Sequence, residues 1–145
     1  MKIISGGQTG ADLGGLEGAR DAGIETGGTA PWGFRTENGA NLELKTIYGL
    51  VASNAKNYNY RTQQNVINSD ATVIFARDIF SPGTKLTIEL CNKHNKPCLL
   101  NPSSPKGLKE FCRDIKVLNI AGNRESKAVG LQKEVRKFII DAFKE

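Results

Sequence analysis

The sequence predicts an α/β fold: a doubly wound, mostly parallel sheet flanked by helices on both faces. Three observations carry this. Short apolar runs alternate with stretches of helical spacing through the whole chain, the order that parallel strands with crossover helices require. The run "ATVIFA", Ala71 to Ala76, is apolar and largely β-branched without alternation, the pattern of a strand covered on both faces. Near the end of the chain, Leu131, Val135, Phe138, Ile139 and Ala142 are spaced by four, three, one and three. That spacing suits an amphipathic helix lying on a sheet.

Each element follows in order. Lys2 to Ser5 reads as a strand, and Gly10 to Ala22 as a helix stopped by Gly23. Ile24 to Gly27 is a second short strand. Residues 28–45 carry repeated Gly and Pro turn signals with no period, so they read as a long loop, and long loops in compact domains tend to be functional. Residues 46–60 fit neither pattern. Arg61 to Asp70 fits a helix, with a possible start near Tyr60. After the 71–76 strand, a Pro-Gly turn opens a helix with Leu86, Leu90 and Cys91 on one side. Thr84 is its expected cap. Pro97 to Asn101 is a strand, 105–113 a helix, Ile115 to Gly122 a strand, and Lys127 to Phe143 the last helix. No linker, repeat or low-complexity tract interrupts the 145 residues, which fit one domain.

Composition excludes several classes. Hydrophobic residues make up 39% and charged residues 24%, as in ordinary globular proteins. No run approaches the ~18 apolar residues of a membrane span. The polar stretch from Ser5 to Asp12 interrupts any signal-peptide core, so a cytoplasmic protein is expected. Cys91, Cys98 and Cys112 form no CxxC pair, and His94 is the only histidine. A metal site is therefore not expected. The thiols read as buried and reduced, and His94 as a surface residue at a helix end. Net charge is +5; residues 1–105 hold ten Lys/Arg against nine Asp/Glu, and residues 106–145 ten against six. Without aromatic–basic interleaving, this C-terminal excess reads as solvated helix faces rather than a nucleic-acid surface.

In a parallel sheet, ligands bind beyond the carboxyl ends of the strands. Three such ends are chemically rich. The first is Ser5-Gly6-Gly7-Gln8-Thr9-Gly10-Ala11-Asp12, the second Ser81-Pro82-Gly83-Thr84, and the third Ala121-Gly122-Asn123-Arg124-Glu125-Ser126. A helix start presents unpaired N–H groups and partial positive charge, and glycine lets an anion approach the backbone. Ser5, Gly6, Gly7, Gln8, Thr9, Gly10, Asp12, Ser81, Gly83, Thr84, Gly122, Arg124, Glu125 and Ser126 are thus candidate contacts to a phosphorylated small molecule. A tight turn with a polar cap is the plainer reading of any one loop. Arg61 at a helix start opposes the helix dipole, which a bound anion nearby would explain. Arg124 either forks onto a phosphate or pairs with a neighbouring carboxylate. Trp32, in the long loop, either stacks on a ring or anchors the loop. Glu89 either reaches the ligand or faces solvent.

The segments "SGGQTGAD", "RTQQNVINSDATVIF", "GTKLTIEL", "KPCLLN" and "LNIAGNRES" stand in the order of one family. The chain resembles the putative molybdenum carriers, a circularly permuted YpsA-like branch of the SLOG superfamily, over nearly its whole length. The resemblance implies a Rossmann-like fold, a nucleotide-derived ligand and a homo-oligomer; Asn65, in the same expected helix as Arg61, is a further candidate ligand contact. The carrier name implies molybdenum cofactor, a pterin bearing a phosphate. Other relatives sense signalling nucleotides, or sequester them, cyclic ADP-ribose-type molecules among them. Lonely-guy-type phosphoribohydrolases carry P-G-G-x-G-T-x-x-E, of which only Gly83, Thr84 and a displaced Glu89 remain here. Gly14 and Gly15 stand where alanine is more usual, and Ala30-Pro31-Trp32 where Cys-Pro-Lys is.

These readings favour a protein that binds a phosphorylated, nucleotide-derived small molecule without turnover, because no Ser/His/Asp set can be built around His94. The alternative is an N-glycosidic hydrolase of nucleoside monophosphates, with Glu89, Asp12 or Glu125 as the carboxylate.

Overall fold

The apolar runs become five parallel strands whose order differs from their order in the chain. The computed structural model describes residues 1–145, the Tyr58 side chain excepted. In sequence the elements are β1 (Lys2–Ser5), α1 (Ala11–Asp21), β2 (Glu25–Gly27), β3 (Thr29–Ala30), β4 (Arg35–Thr36) and β5 (Gly39–Ala40). Then follow α2 (Glu43–Thr46), β6 (Val51–Ala52), α3 (Tyr58–Ile67), β7 (Ala71–Phe75), α4 (Pro82–Lys93) and β8 (Cys98–Leu100). The chain closes with α5 (Pro105–Phe111), β9 (Val117–Gly122) and α6 (Leu131–Phe143). The main sheet runs β2-β1-β9-β7-β8, parallel throughout. This is the Rossmann-like α/β architecture expected from the sequence.

The strand pleat divides the interior in two. Ile3, Val73, Leu118 and Ile120 face α1, α5 and α6, where Leu108, Leu131, Val135 and Ile139 complete the largest cluster. On the other face, Thr72 and Asn119 are register partners joined by a 3.2 Å hydrogen bond. There α3 and α4 pack through Val66, Leu90 and Cys91. All five residues of β7 are buried, as its uninterrupted apolar run requires.

Gly14 and Gly18 explain how closely α1 lies on α6. A Cβ at Gly14 would come 2.4 Å from the Gln132 carbonyl oxygen, and one at Gly18 would come 2.7 Å from that of Arg136. At Gly15 it would meet the Ile120 side chain at 2.8 Å. These glycines serve helix and strand packing.

Several boundaries differ from expectation for local reasons. Residues 28–45 are not a plain loop: β3 pairs with β6, and β4 and β5 make a small hairpin. The third helix starts at Tyr58, because Asn57 caps it by accepting the Asn59 N–H at 2.9 Å. Arg61 therefore sits in its second turn, away from the unfavourable first N–H groups. Ser81, not Thr84, caps α4: its Oγ accepts the Thr84 N–H, and Pro82 fills the first helical position. The last helix begins at Leu131 rather than Lys127; Glu125 to Lys127 form a separate 3-10 turn and Gly130 turns left-handed at φ 91°. Cys91 and Cys112 are buried, but Cys98 is only half-buried, and so is His94, whose Nε2 is enclosed rather than at the surface.

Candidate functional site

The loops after β1, β7 and β9 meet at one rim of the sheet. The Asn123 carbonyl accepts the Ala11 N–H at 3.1 Å, and the Asn123 N–H donates to the Phe75 carbonyl at 3.1 Å. The Asn123 side chain then holds the loop after β7, accepting from the Asp78 N–H at 2.9 Å and donating to the Asp78 carbonyl at 3.2 Å. Asn65 does the same for Thr29, accepting at 2.8 Å and donating at 3.0 Å. Asn101 holds Ala76 with two bonds of 2.8 Å. A primary amide offers donor and acceptor in the geometry of a peptide, so each asparagine replaces a missing strand neighbour.

The N–H groups of the first loop are turned inward. Gly7 donates to Ser5 Oγ, Gln8 to Asp12 Oδ2, Thr9 to Gln8 Oε1 and Gly10 to Gln132 Oε1. These four N–H groups ahead of α1 are therefore satisfied within the protein, one by the Asp12 carboxylate and three by a hydroxyl and side-chain amides, instead of standing open to an external anion. At α4 the arrangement differs. Pro82 has no N–H, Ser81 takes that of Thr84, and Gly83 lies at the wall of a cavity.

That cavity, about 540 Å³, lies between the ends of β1 and β9, the start of α4, and α3. Gly6, Gln8, Asp12, Arg61, Asn65, Ser81, Gly83, Gly122 and Arg124 line it, together with Asn59, Asp78, Asn119, Asn123 and Lys127. A second cavity of about 500 Å³ shares Gln8, Arg61 and Arg124 with the first. Its other walls include Trp32, Arg35, Glu37, Ser53 and Lys56. Trp32 is 44% exposed, with the Arg35 guanidinium 5.3 Å and the Lys56 ammonium 5.1 Å from its ring centre.

Other expected contacts lie outside both walls. Ser5 is fully buried and donates to the Asp12 carbonyl at 3.0 Å. Gly7 packs against Leu44 and Leu50, and Gly10 against the Asn123 backbone. Thr84 is buried under its cap, and Glu89 is exposed on α4. The Glu125 carboxylate accepts the N–H groups of Gly130 at 2.7 Å and Gln132 at 2.9 Å, closing the start of α6. Thr9 and Ser126 both donate to Glu37, which also lies 3.6 Å from Arg124. Burial opposes ionisation of Glu37, but the bonds from Ser126 and Thr9 prevail and hold its pKa below the usual carboxylate value.

Sequence reasoning missed Arg35, Glu37, Lys56, Asn59, Asp78, Asn119, Asn123 and Lys127 among the lining residues. Glu37 sits in an aperiodic stretch with nothing local to mark it. Asn119 did leave a signal: a polar amide in the centre of "VLNIAG", a strand otherwise apolar.

Asp12 and Arg61 are both more than 90% buried, and their side chains pair at 3.4 Å. Gly6 makes this possible, since a Cβ there would stand 2.0 Å from Arg61 Nη1. Burial pushes the Asp12 carboxyl up to about 6, against the pull of Arg61 and of the Gln8 N–H. The folded protein thus takes up this proton before the unfolded chain does. Protonation favours folding between pH 6 and about 4, and the penalty for ionisation is complete above about pH 6. Urea titrations from pH 4 to 8 should show the wild type losing on the order of 2–3 kcal/mol relative to Asp12→Asn as pH rises across this window. Parallel pH profiles for the two proteins would refute the assignment.

Residues 3–143 match the model of the circularly permutated YpsA SLOG family. The crystal structure of a putative molybdenum carrier protein from Syntrophus aciditrophicus SB is similar at 33% identity and a TM-score of 0.84, covering 98% of this chain and 93% of that one. No curated protein matches the chain significantly. No helix among the described residues is long and apolar enough to cross a membrane. With the sheet order, the strand-end loops and a family match over almost every residue, the chain belongs to the circularly permuted YpsA family of SLOG proteins.

Proposed function

We propose that the protein binds a phosphorylated, nucleotide-derived small molecule at the rim cavity and does not turn it over. One observation carries the reading: Arg61, Arg124 and Lys127 converge with the first turn of α4 on a single cavity at the strand ends. Five cations across the two cavities face three carboxylates, Asp12, Glu37 and Asp78. Such walls suit an anion with polar groups around it. Its roles would be those of a cofactor carrier or of a protein that sequesters a signalling nucleotide.

The donor set also bears on molybdenum. No thiol or imidazole lines either cavity, and no cluster of three His, Cys, Asp or Glu exists among the described residues. Amides and cations would hold the phosphate or an oxyanion of such a cargo, not a bare cation. Of the three carboxylates considered for hydrolysis, Glu89 is exposed on α4 and Glu125 caps α6; Asp12 alone lines the cavity, and there it is paired with Arg61.

Equilibrium calorimetry with nucleoside monophosphates, diphosphates, cyclic nucleotides, molybdate and molybdopterin tests the reading. At least one phosphorylated compound should saturate the protein while its parent nucleoside does not. Arg124→Ala should weaken that binding by roughly 10- to 100-fold, the range of a charge-assisted hydrogen bond. Equal binding of nucleoside and nucleotide, or release of free base during incubation, would overturn it.

A further inference from the structure

We propose that Cys91 and Cys98 form a reactive dithiol that closes, with a low-molecular-weight disulfide as oxidant, to a reversible intramolecular disulfide between α4 and β8. The inference does not depend on what the rim cavity binds. The three thiols of the chain are not equivalent. Cys112 is the only cysteine of the large core cluster, where burial pushes its pKa up to about 11 and keeps it a protonated, unreactive thiol. Cys91 and Cys98 instead share the small cluster of α3 and α4 with Val66, Leu86 and Leu90. Helix α4 ends at Lys93, Asn95 turns left-handed at φ 54°, and the Lys96 N–H donates back to the Cys91 carbonyl at 2.9 Å. This reversal lays β8 directly after the helix, with Cys98 as the register partner of Thr72. The two side chains meet there, the Cys98 thiol donating to the Cys91 sulfur.

Their surroundings divide the work. Cys91 is fully buried, yet its sulfur has donors. Beside Cys98 there is the Thr72 hydroxyl, whose oxygen accepts from the Asn119 amide at 3.2 Å and so keeps its own proton for the sulfur. The bond from Cys98, aided by that from Thr72, outweighs burial and holds the Cys91 thiol below its usual range. Cys98 is half-buried on β8, the edge strand of the sheet, so an oxidant meets it first. Cys91 needs no access of its own, because its target is the neighbouring sulfur. Exchange then runs in two displacements. With the proton between the sulfurs moved to Cys91, the Cys98 sulfur attacks oxidised glutathione, breaks its S–S bond and expels one glutathione thiolate. Cys91 then releases its proton, attacks Cys98 Sγ and expels the second glutathione thiolate. The protons released by the pair are taken up by the two expelled thiolates. Two protein thiols are thereby oxidised to one disulfide, and one glutathione disulfide is reduced to two thiols.

Thiol trapping tests this directly. Native protein is equilibrated with oxidised and reduced glutathione at several ratios, quenched in acid, alkylated and mapped by mass spectrometry. In excess oxidised glutathione the three alkylatable thiols should fall to one, Cys112. The peptides that carry Cys91 and Cys98 should be joined, and dithiothreitol should free them again. The wild type should accumulate no mixed disulfide, because a thiol poised to ionise lies against Cys98. Cys91→Ser should stop at glutathionylated Cys98, and Cys98→Ser should leave Cys91 and Cys112 both unmodified. Cys112→Ser should close the link as the wild type does. Three alkylatable thiols in the oxidised wild type, a link that includes Cys112, or arrest at the mixed disulfide overturns the proposal, and none of these readings requires a variant to fold.

Discussion

Replacing Arg61 with alanine is expected to lower stability by about 3–5 kcal/mol at pH 7.5 and to abolish binding in both cavities. The stability loss comes from Asp12. The residue is 7% exposed, and its carboxylate pairs with Arg61 at 3.4 Å. Without the guanidinium it retains the Gln8 N–H but no counter-charge, and an uncompensated buried charge is among the costliest defects a core can carry. Acid should relieve the defect, because a protonated Asp12 needs no partner; the deficit should shrink by more than half at pH 5. The double variant Asp12→Asn, Arg61→Ala separates the two roles. It should recover much of the lost stability at pH 7.5 and none of the binding, since Arg61 lies in both cavity walls. Urea denaturation with calorimetry checks both parts. Recovery of binding in the double variant would remove Arg61 from the ligand site.

A second large effect runs against helix propensity. Gly14→Ala and Gly18→Ala should each gain about 1 kcal/mol of intrinsic helix preference. Both are nonetheless expected to destabilise. The new methyl groups would stand 2.4 and 2.7 Å from carbonyl oxygens of α6, and backbone cannot rotate aside as a side chain can. Overpacking costs about 1–3 kcal/mol per site and sometimes more. The two sites share one helix pair, so the double variant should lose on the order of 3 kcal/mol net and melt roughly 6–12 °C lower. Gly15→Ala provides the contrast. Its methyl meets only the Ile120 side chain, which can shift, and the change should be much milder. A Gly14→Ala protein that melts above the wild type would show that α1 and α6 have room to separate.

The strand and helix order was legible because it depends on local patterns: the unbroken run in β7 and the four-three spacing of α6 both survive in the structure. Residues 28–60 were opaque for a physical reason. Strands β3 and β6 have two residues each, too few to show a period, and are held by partners far away in sequence. The ambiguous stretch before Arg61 hides the true helix start: α3 begins at Tyr58, fixed by the Asn57 cap, which only the folded chain reveals. At the rim, residue types were readable but their partners were not. Thr9, Glu125 and Ser126 have the chemistry of ligand contacts, yet their bonds go to Glu37 and to α6. A single sequence records what a side chain can bind. It does not record which neighbour reaches it first.

The strand order has a consequence for how the protein is made. β1 and β7 do not touch; β9 lies between them and joins both pairs into one sheet. While the ribosome has released only residues up to about 115, β1–β2 and β7–β8 are separate two-stranded ribbons with exposed edges, which are at best marginally stable alone. Arrival of residues 117–122 closes the gap in one step, so the sheet should assemble cooperatively, and only after β9 has emerged.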